Sequence, residues 1–304
     1  MIKNSDAKLP SQEPTSNGKT TQSIEFVDDT NLHPVLLRPK FRVYLRDIWH
    51  RRHFIWEDSK GRAFGVGRNT FLGFAWVFLN PIFQVLVYAL VFGLVLRTGR
   101  GVENFVGFLV IGVIFFGFFS KGITSGNGLL RRQRGLIHSF SFPRALIPIS
   151  NTVRACLDNA APAFMAVLIA LFFQADKLPS WTVFLCLPYY ALAHLFILGS
   201  TLITARLTAF IPDIQHLITL GTRGLFFLSG IFFPLSRFSD YPTLEKIMSL
   251  NPIYQYLTIF RSIVLDGEVP SLFSNLYVLI VTVLLSLGGL LFFWNAEEKY
   301  ASIQ

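Results

Sequence analysis

Charge is scarce in this chain: 15% of its 304 residues are Asp, Glu, Lys or Arg, against about 25% in an ordinary soluble domain. That shortage excludes a water-solvated globule. Its two cysteines, Cys156 and Cys186, are too few for a disulfide framework or a zinc site, and both lie in apolar runs where a thiol packs as a small hydrophobe. No G-x-x-x-x-G-K-[ST] stretch occurs, so the chain has no phosphate cradle for ATP; Gly65, Gly67, Gly126 and Gly128 read as loop glycines. No His, Asp and Glu cluster has metal-ligand spacing, and no paired carboxylates lie in an apolar run as a proton relay requires. His53 and Asp58 share the H-x-x-x-x-D spacing of some membrane acyltransferases. On one helix five residues turn the side chains about 140° apart, so they do not meet. No catalytic, cofactor-binding or metal residue is therefore assigned, and uphill work would need energy from a partner.

Apolar residues make up 52% of the chain and Phe alone occurs 32 times. They fall in long runs, which makes the bilayer the solvent. Phe71 to Leu96 has no charge until Arg97, about 26 residues and long enough to cross a hydrocarbon core of ~30 Å. Further runs cover Phe105 to Ser120, Val153 to Phe173, Leu178 to Ala205, His216 to Leu235 and Val269 to Ala296. The expected fold is an all-α integral membrane protein with six transmembrane helices.

Placement of the formal charge of +9 separates a nucleic-acid reading from a membrane one. Lys40, Arg42, Arg46, Arg51, Arg52, Lys60, Arg62 and Arg68 precede the first run, and Arg131, Arg132, Arg134 and Arg144 lie between the second and third. The alternate loops carry fewer. Basic residues resist translocation, so both termini are expected in the cytoplasm, in a multi-pass protein of the plasma membrane without a nucleic-acid partner.

Four parts are distinguished: a disordered cytoplasmic tail over 1–40, an amphipathic interface helix and linker over 41–68, the spanning domain over 69–298 and a cytoplasmic end over 299–304. The tail is polar and no signal peptide precedes the first run. In the interface helix Phe41, Tyr44, Leu45, Ile48, Ile55 and Trp56 share one face, suited to the membrane surface. Tyr241 to Leu265, broken by Pro242 and Pro252, reads as external re-entrant helices. Arg154 and Asp158, four apart on the third run, either neutralise one another or mark function. Arg223 on the fifth either meets an anionic headgroup or snorkels to the inner surface. Aromatic rings crowd the first and fifth runs, among them Phe74, Trp76, Tyr88, Phe226 and Phe227, and apolar sugar faces stack on such rings.

Three strings resemble one family, the permeases of ABC type-2 exporters that move lipid-linked polysaccharides such as O-antigen, capsule, teichoic acid or galactan. Arg68, Leu72, Gly73, Trp76 and Pro81 fit R-x-x-x-L-G-x-x-W-x-x-x-x-P; Phe142, Pro143, Arg144 and Pro148 fit F-P-R-x-x-x-P; Asn251, Pro252, Phe260 and Arg261 fit the N-P and F-R of the external re-entrant region. Trp49 to Trp56 is similar to actinobacterial members. Pro212 before Asp213 departs from the family's Arg-Asp pair. The resemblance implies a homodimer with two copies of an ABC ATPase, which holds the ATP and Mg, moving a lipid-linked polysaccharide through membrane lipid. It assigns ATPase coupling to Trp49, Arg51, Arg52, Arg131, Arg132, Arg134, Phe142, Pro143 and Arg144. The channel falls to Phe74, Trp76, Tyr88, Arg223, Phe226 and Phe227, and the external region to Asn251, Pro252 and Arg261. Rival readings are an ABC type-2 exporter of drugs or small lipids and an integral glycosyl- or acyltransferase.

Overall fold

In hydrocarbon every backbone N–H and C=O must be satisfied inside the protein, and a helix does this within one segment. The computed structural model of the chain describes residues 39–63, 75–95, 103–140, 142–174, 179–235 and 240–302, with helices and turns and no strand among them. The expected tail, apart from its last two residues, and Phe74 lie outside the described residues.

The amphipathic segment forms two helices, α1 (Phe41–His50) and α2 (Arg52–Ala63), where the sequence suggested one interface helix within 41–68. They break at Arg51, whose backbone φ −93°, ψ 16° closes α1. The described part of the first apolar run is α3 (Ala75–Tyr88), which continues as a π-helix over Ala89–Val95. α4 (Phe105–Ser125) is capped by Asn104, whose side-chain oxygen accepts from Gly107 N at 2.8 Å. It runs past Lys121, where the second run was expected to stop, because that cation faces a cavity. Short helices α5 (Leu129–Arg132) and α6 (Arg134–Ser139) lead to α7 (Leu146–Phe172), which begins before the expected Val153.

A 3-10 turn over Trp181–Leu185 opens α8 (Cys186–Phe210); then come α9 (Ile214–Leu228), α10 (Pro242–Ser249), α11 (Pro252–Arg261) with a π turn over Ser262–Asp266, and α12 (Leu272–Trp294) with a 3-10 turn over Glu297–Ser302. Among the described residues four helical stretches are long and apolar enough to cross a membrane: Phe105–Ser125, Leu146–Phe172, Trp181–Phe210 and Leu272–Trp294. α9 has 15 residues, about 22 Å, which falls short of a full crossing. Large side chains such as Phe184 on the approach to α8, Leu187 and Leu284 stand exposed on the helices, the surface lipid would cover.

Without a hydrophobic drive between helices in lipid, close packing holds them together. α8 and α12 meet at Gly199 and Gly289: a Cβ at Gly199 would lie 2.6 Å from Leu285 O, and one at Gly289 2.7 Å from Gly199 O. Beside them Ser286 Oγ donates to Leu195 O at 2.8 Å. One apolar core joins α4, α8 and α11 through Phe119, Phe196 and Tyr256; a second gathers Tyr44, Leu130, Phe142, Leu146, Phe293 and Tyr300 at the end carrying the short basic helices.

Candidate functional site

Polar chemistry and sequence-distant elements come together in several places among the described residues. At the basic end, α1 turns Tyr44 inward until it is fully buried. Its hydroxyl donates to Glu297 Oε2 at 2.7 Å and accepts from Ala145 N at 3.1 Å, while Arg144 N donates to Glu297 Oε1 at 2.7 Å. The Arg144 guanidinium approaches the same oxygen at 3.6 Å. One carboxylate thus ties together the interface helix, the Phe-Pro-Arg segment and the turn after α12. Burial raises the Glu297 carboxyl above its ordinary value, and the Arg144 backbone N–H and the Tyr44 hydroxyl pull it partly back. The Tyr44 phenol is pushed up by burial and by the adjacent carboxylate.

Around this joint the residues assigned to coupling divide. Trp49 is 67% exposed, and Arg52 sits over its ring at 5.3 Å. Arg51 and Arg134 are exposed; Arg131 Nε donates to Ala209 O at 3.3 Å and Arg132 Nη1 to Asn127 O at 2.6 Å. Phe142 and Pro143 are buried, Phe142 within the second core. The ring presented by that segment is Phe140, 63% exposed, which the motif did not mark.

The second place is a cavity of about 550 Å3 between α3, α4 and α7, closed on one side by Phe226 of α9. Trp76, Asn80 and Gln84 recur every four residues, so α3 turns all three toward it. α4 contributes Lys121 and Ser125; α7 contributes Asn151, Arg154, Asp158 and Asn159. Arg154 Nε donates to Asp158 Oδ2 at 3.3 Å, and Asn151 Nδ2 to Ser125 Oγ at 3.0 Å. Asn159 lies 3.2 Å from His194 Nε2, and His194 Nδ1 is 2.9 Å from Tyr190 O. That carbonyl can only accept, so Nδ1 carries the proton and Asn159 donates. Lys121 is four residues from the end of α4 and Arg154 eight from the start of α7, placing both cations about 6–12 Å from the basic end.

Trp76 and Phe226 of the expected channel line this cavity, whereas Arg223 is exposed on α9 and is not among its lining residues. Tyr88 packs 6.0 Å from Phe226 and 5.5 Å from Phe232, and Phe227 is 60% exposed. Asn80, Gln84, Lys121 and Asn151 were not singled out from sequence; their signal was a four-residue polar spacing that becomes meaningful only when three helices aim it inward.

The residues of the Asn-Pro and Phe-Arg motifs form a clasp. Asn251 caps α11, accepting from Ile253 N at 3.0 Å and donating to Ser229 Oγ at 2.9 Å; Pro252 takes the first helical position. Arg261 is buried and donates to Phe108 O, Gly230 O and Ile231 O at 3.2, 2.9 and 3.2 Å. Its guanidinium lies 3.4 Å from the Phe108 ring centre.

Known proteins share this sequence over most of its length. It is 28% identical over 235 residues to the O-antigen export system permease protein RfbA of Myxococcus xanthus, covering 77% of this chain and 88% of that one. A Klebsiella pneumoniae protein of the same name is 23% identical, covering 78% and 89%. The polysialic acid transport protein KpsM of Escherichia coli is 25% identical, covering 75% and 87%. Residues 62–265, from the end of α2 through the turn after α11, match the ABC-2 type transporter family, and this membrane chain, with no phosphate loop of its own, belongs to that family.

Proposed function

We propose that the chain is the permease subunit of an ABC exporter that moves a lipid-linked cell-surface polysaccharide across the cytoplasmic membrane. One observation carries this reading: three relatives, two named for O-antigen export and one for polysialic acid transport, align over 87–89% of their own length. The cavity is consistent with it, since the Trp76 ring and the amides of Asn80, Gln84 and Asn151 suit sugar faces and hydroxyls.

In this reading two copies pair in the membrane, with six spans each and both termini inside, over two ATPase subunits that bind ATP and Mg. Exposed Trp49, Phe54, Trp56 and Phe140, with Arg131, Arg132 and Arg134, form the face for the ATPase. Nucleotide-driven closure there moves the segment ending at Arg144, and the Glu297 joint passes that movement to α1 and α12. A deletion strain tests the reading: surface polysaccharide should disappear and return with the intact gene, and the purified chain should bring down an ATPase. Normal surface polysaccharide in the deletion strain would refute it.

A further inference from the structure

We propose that Arg154 is a positioning residue that carries movement from the short basic helices into the membrane, by exchanging one partner one turn ahead on α7 for another one turn behind. The proposal rests on the reading that an ATPase docks at the basic end and is independent of the cargo. Adjoining the cavity between α3, α4 and α7 is a cleft of about 30 Å3 between α2, the short basic helices and α7. Small-ligand pockets run to roughly 300–1,000 Å3, so this cleft is sized for a side-chain group and not for a ligand. Phe54 and Asp58 line it from α2, Leu129 from α5, Leu136 from α6 and Ser150 from α7. Two residues line both spaces, Asn151 and Arg154. Among the described lining residues Arg154 is the one cation of the cleft and one of two in the cavity.

On its own helix Arg154 stands midway between Ser150 and Asp158, four residues from each. Ahead, Asp158 holds it, with Nε donating to Oδ2 at 3.3 Å. Behind, Ser150 is 5% exposed and its hydroxyl has no hydrogen-bond partner among the described residues. A buried hydroxyl without a partner is destabilising, and a donor brought to it removes that cost. Residues four apart on a helix are neighbours, and side chains lean toward the helix N-terminus, so Ser150 lies in the direction the guanidinium favours. The Asp58 carboxylate on the facing wall of the cleft supplies a second acceptor.

The present pair is easily exchanged. Both side chains are about a third exposed, and exposed ion pairs of this kind contribute little. Asp158 is not stranded by the exchange, because Lys121 acts on the same carboxylate. The structure holds one position, and nucleotide-driven movement of α5 and α6 against α7 selects the other by reshaping the cleft they line. With Arg154 drawn back, the charged lining of the cavity among the described residues falls from two cations and one carboxylate to Lys121 against Asp158. A purely structural pair accounts for Asp158 alone; it gives no role to Ser150 or Asp58 on the other side of the same cation.

The test uses the full chain carrying Cys156→Ala and Cys186→Ala, purified with its ATPase in phosphatidylcholine nanodiscs. Asn80→Cys, on the α3 wall of the cavity, is labelled with an anionic and with a cationic methanethiosulfonate, in the absence and presence of ATP and vanadate. The ratio of the anionic to the cationic rate reads the charge beside the cysteine. Trapping should lower that ratio by about threefold or more. Arg154→Gln, Asp58→Asn and Ser150→Ala should each blunt the response, and Arg154→Lys should retain part of it. Dependence on Ser150 and Asp58 is a readout that a structural Arg154–Asp158 pair would not give. Phe140→Cys, exposed at the basic end, reports docking. Altered labelling there with a constant Asn80→Cys ratio would overturn the proposal and leave the docking reading standing. A response at Asn80→Cys that persists in full in Arg154→Gln would overturn it too. No response at either cysteine would remove the docking reading and this proposal with it.

Discussion

The Tyr44 hydroxyl and the Glu297 carboxylate, 253 positions apart in sequence, meet at 2.7 Å in a buried contact. Each belongs to a terminal segment, and both close on the backbone of Arg144 and Ala145. A buried carboxylate stripped of its donors loses far more than an exposed one. Tyr44→Phe removes one charge-assisted bond and should cost about 1.5–3 kcal/mol. Glu297→Ala, which strands the Arg144 and Tyr44 donors, should cost about 3–5 kcal/mol. Thermal unfolding of the purified chain measures both; equal midpoints for Tyr44→Phe and the parent would show the bond to be dispensable.

A pH dependence follows from the same carboxylate. Its pKa in the folded chain is raised above the unfolded value by burial, so the folded state holds the proton more tightly. Its contribution to stability is full below the ordinary carboxylate pKa and is lost as pH rises through the raised one. Between about pH 5 and pH 8 the unfolding midpoint should fall more for the parent than for Glu297→Gln, which cannot titrate. Parallel profiles would assign the dependence to other groups.

The crossing of α8 and α12 leaves no room for a methyl group. Gly289→Leu forces the helices apart against Gly199 O, 2.7 Å from the position of an added Cβ, and overpacking of this kind costs about 1–3 kcal/mol or more. Reduced yield of monodisperse protein is expected, with Gly288→Ala as a control because nothing lies within 4 Å of an added Cβ there. Equal yields would mean that the helices shift freely.

Arg261 gathers three carbonyls with one planar fork, and Lys cannot reproduce that geometry. Arg261→Lys should destabilise the segment from α9 to α11 by about 2 kcal/mol or more, read as faster proteolysis between those helices. Gly112→Ala should act in the same direction, since its Cβ would fall 2.5 Å from Arg261 Nη2. Unaltered cleavage in both variants would contradict the clasp.

Replacing Arg131, Arg132 and Arg134 together by Glu reverses the charge of the short helices without touching the buried Phe142. Export and ATPase association should both fall sharply, by tenfold or more if several charge pairs are lost at the docking face. Insertion, followed by membrane protein level, should persist. Undiminished export would leave these arginines with a role in topology alone.

The sequence by itself determined the solvent and the fold class, because runs such as Phe105 to Ser120 and Val269 to Ala296 have no other stable environment, and in hydrocarbon only self-satisfied helices can follow from them. It also showed that the chain has no phosphate loop of its own, and marked Trp76, Arg144, Asn251 and Arg261 through short patterns. It did not show which polar residues face one another. Lys121 resembled the end of a span, Asn80 and Gln84 were single polar residues in an apolar run, and Glu297 was one acid among several near the C-terminus. Their meaning depends on the rotation and crossing of helices. Contacts such as Gly199 against Gly289 set these by packing, between residues far apart in sequence. Only that packing turned Lys121, Asn80 and Arg154 into one cavity, and only it brought Tyr44 to Glu297, since in a bilayer a buried polar group is stable where another element supplies its partner.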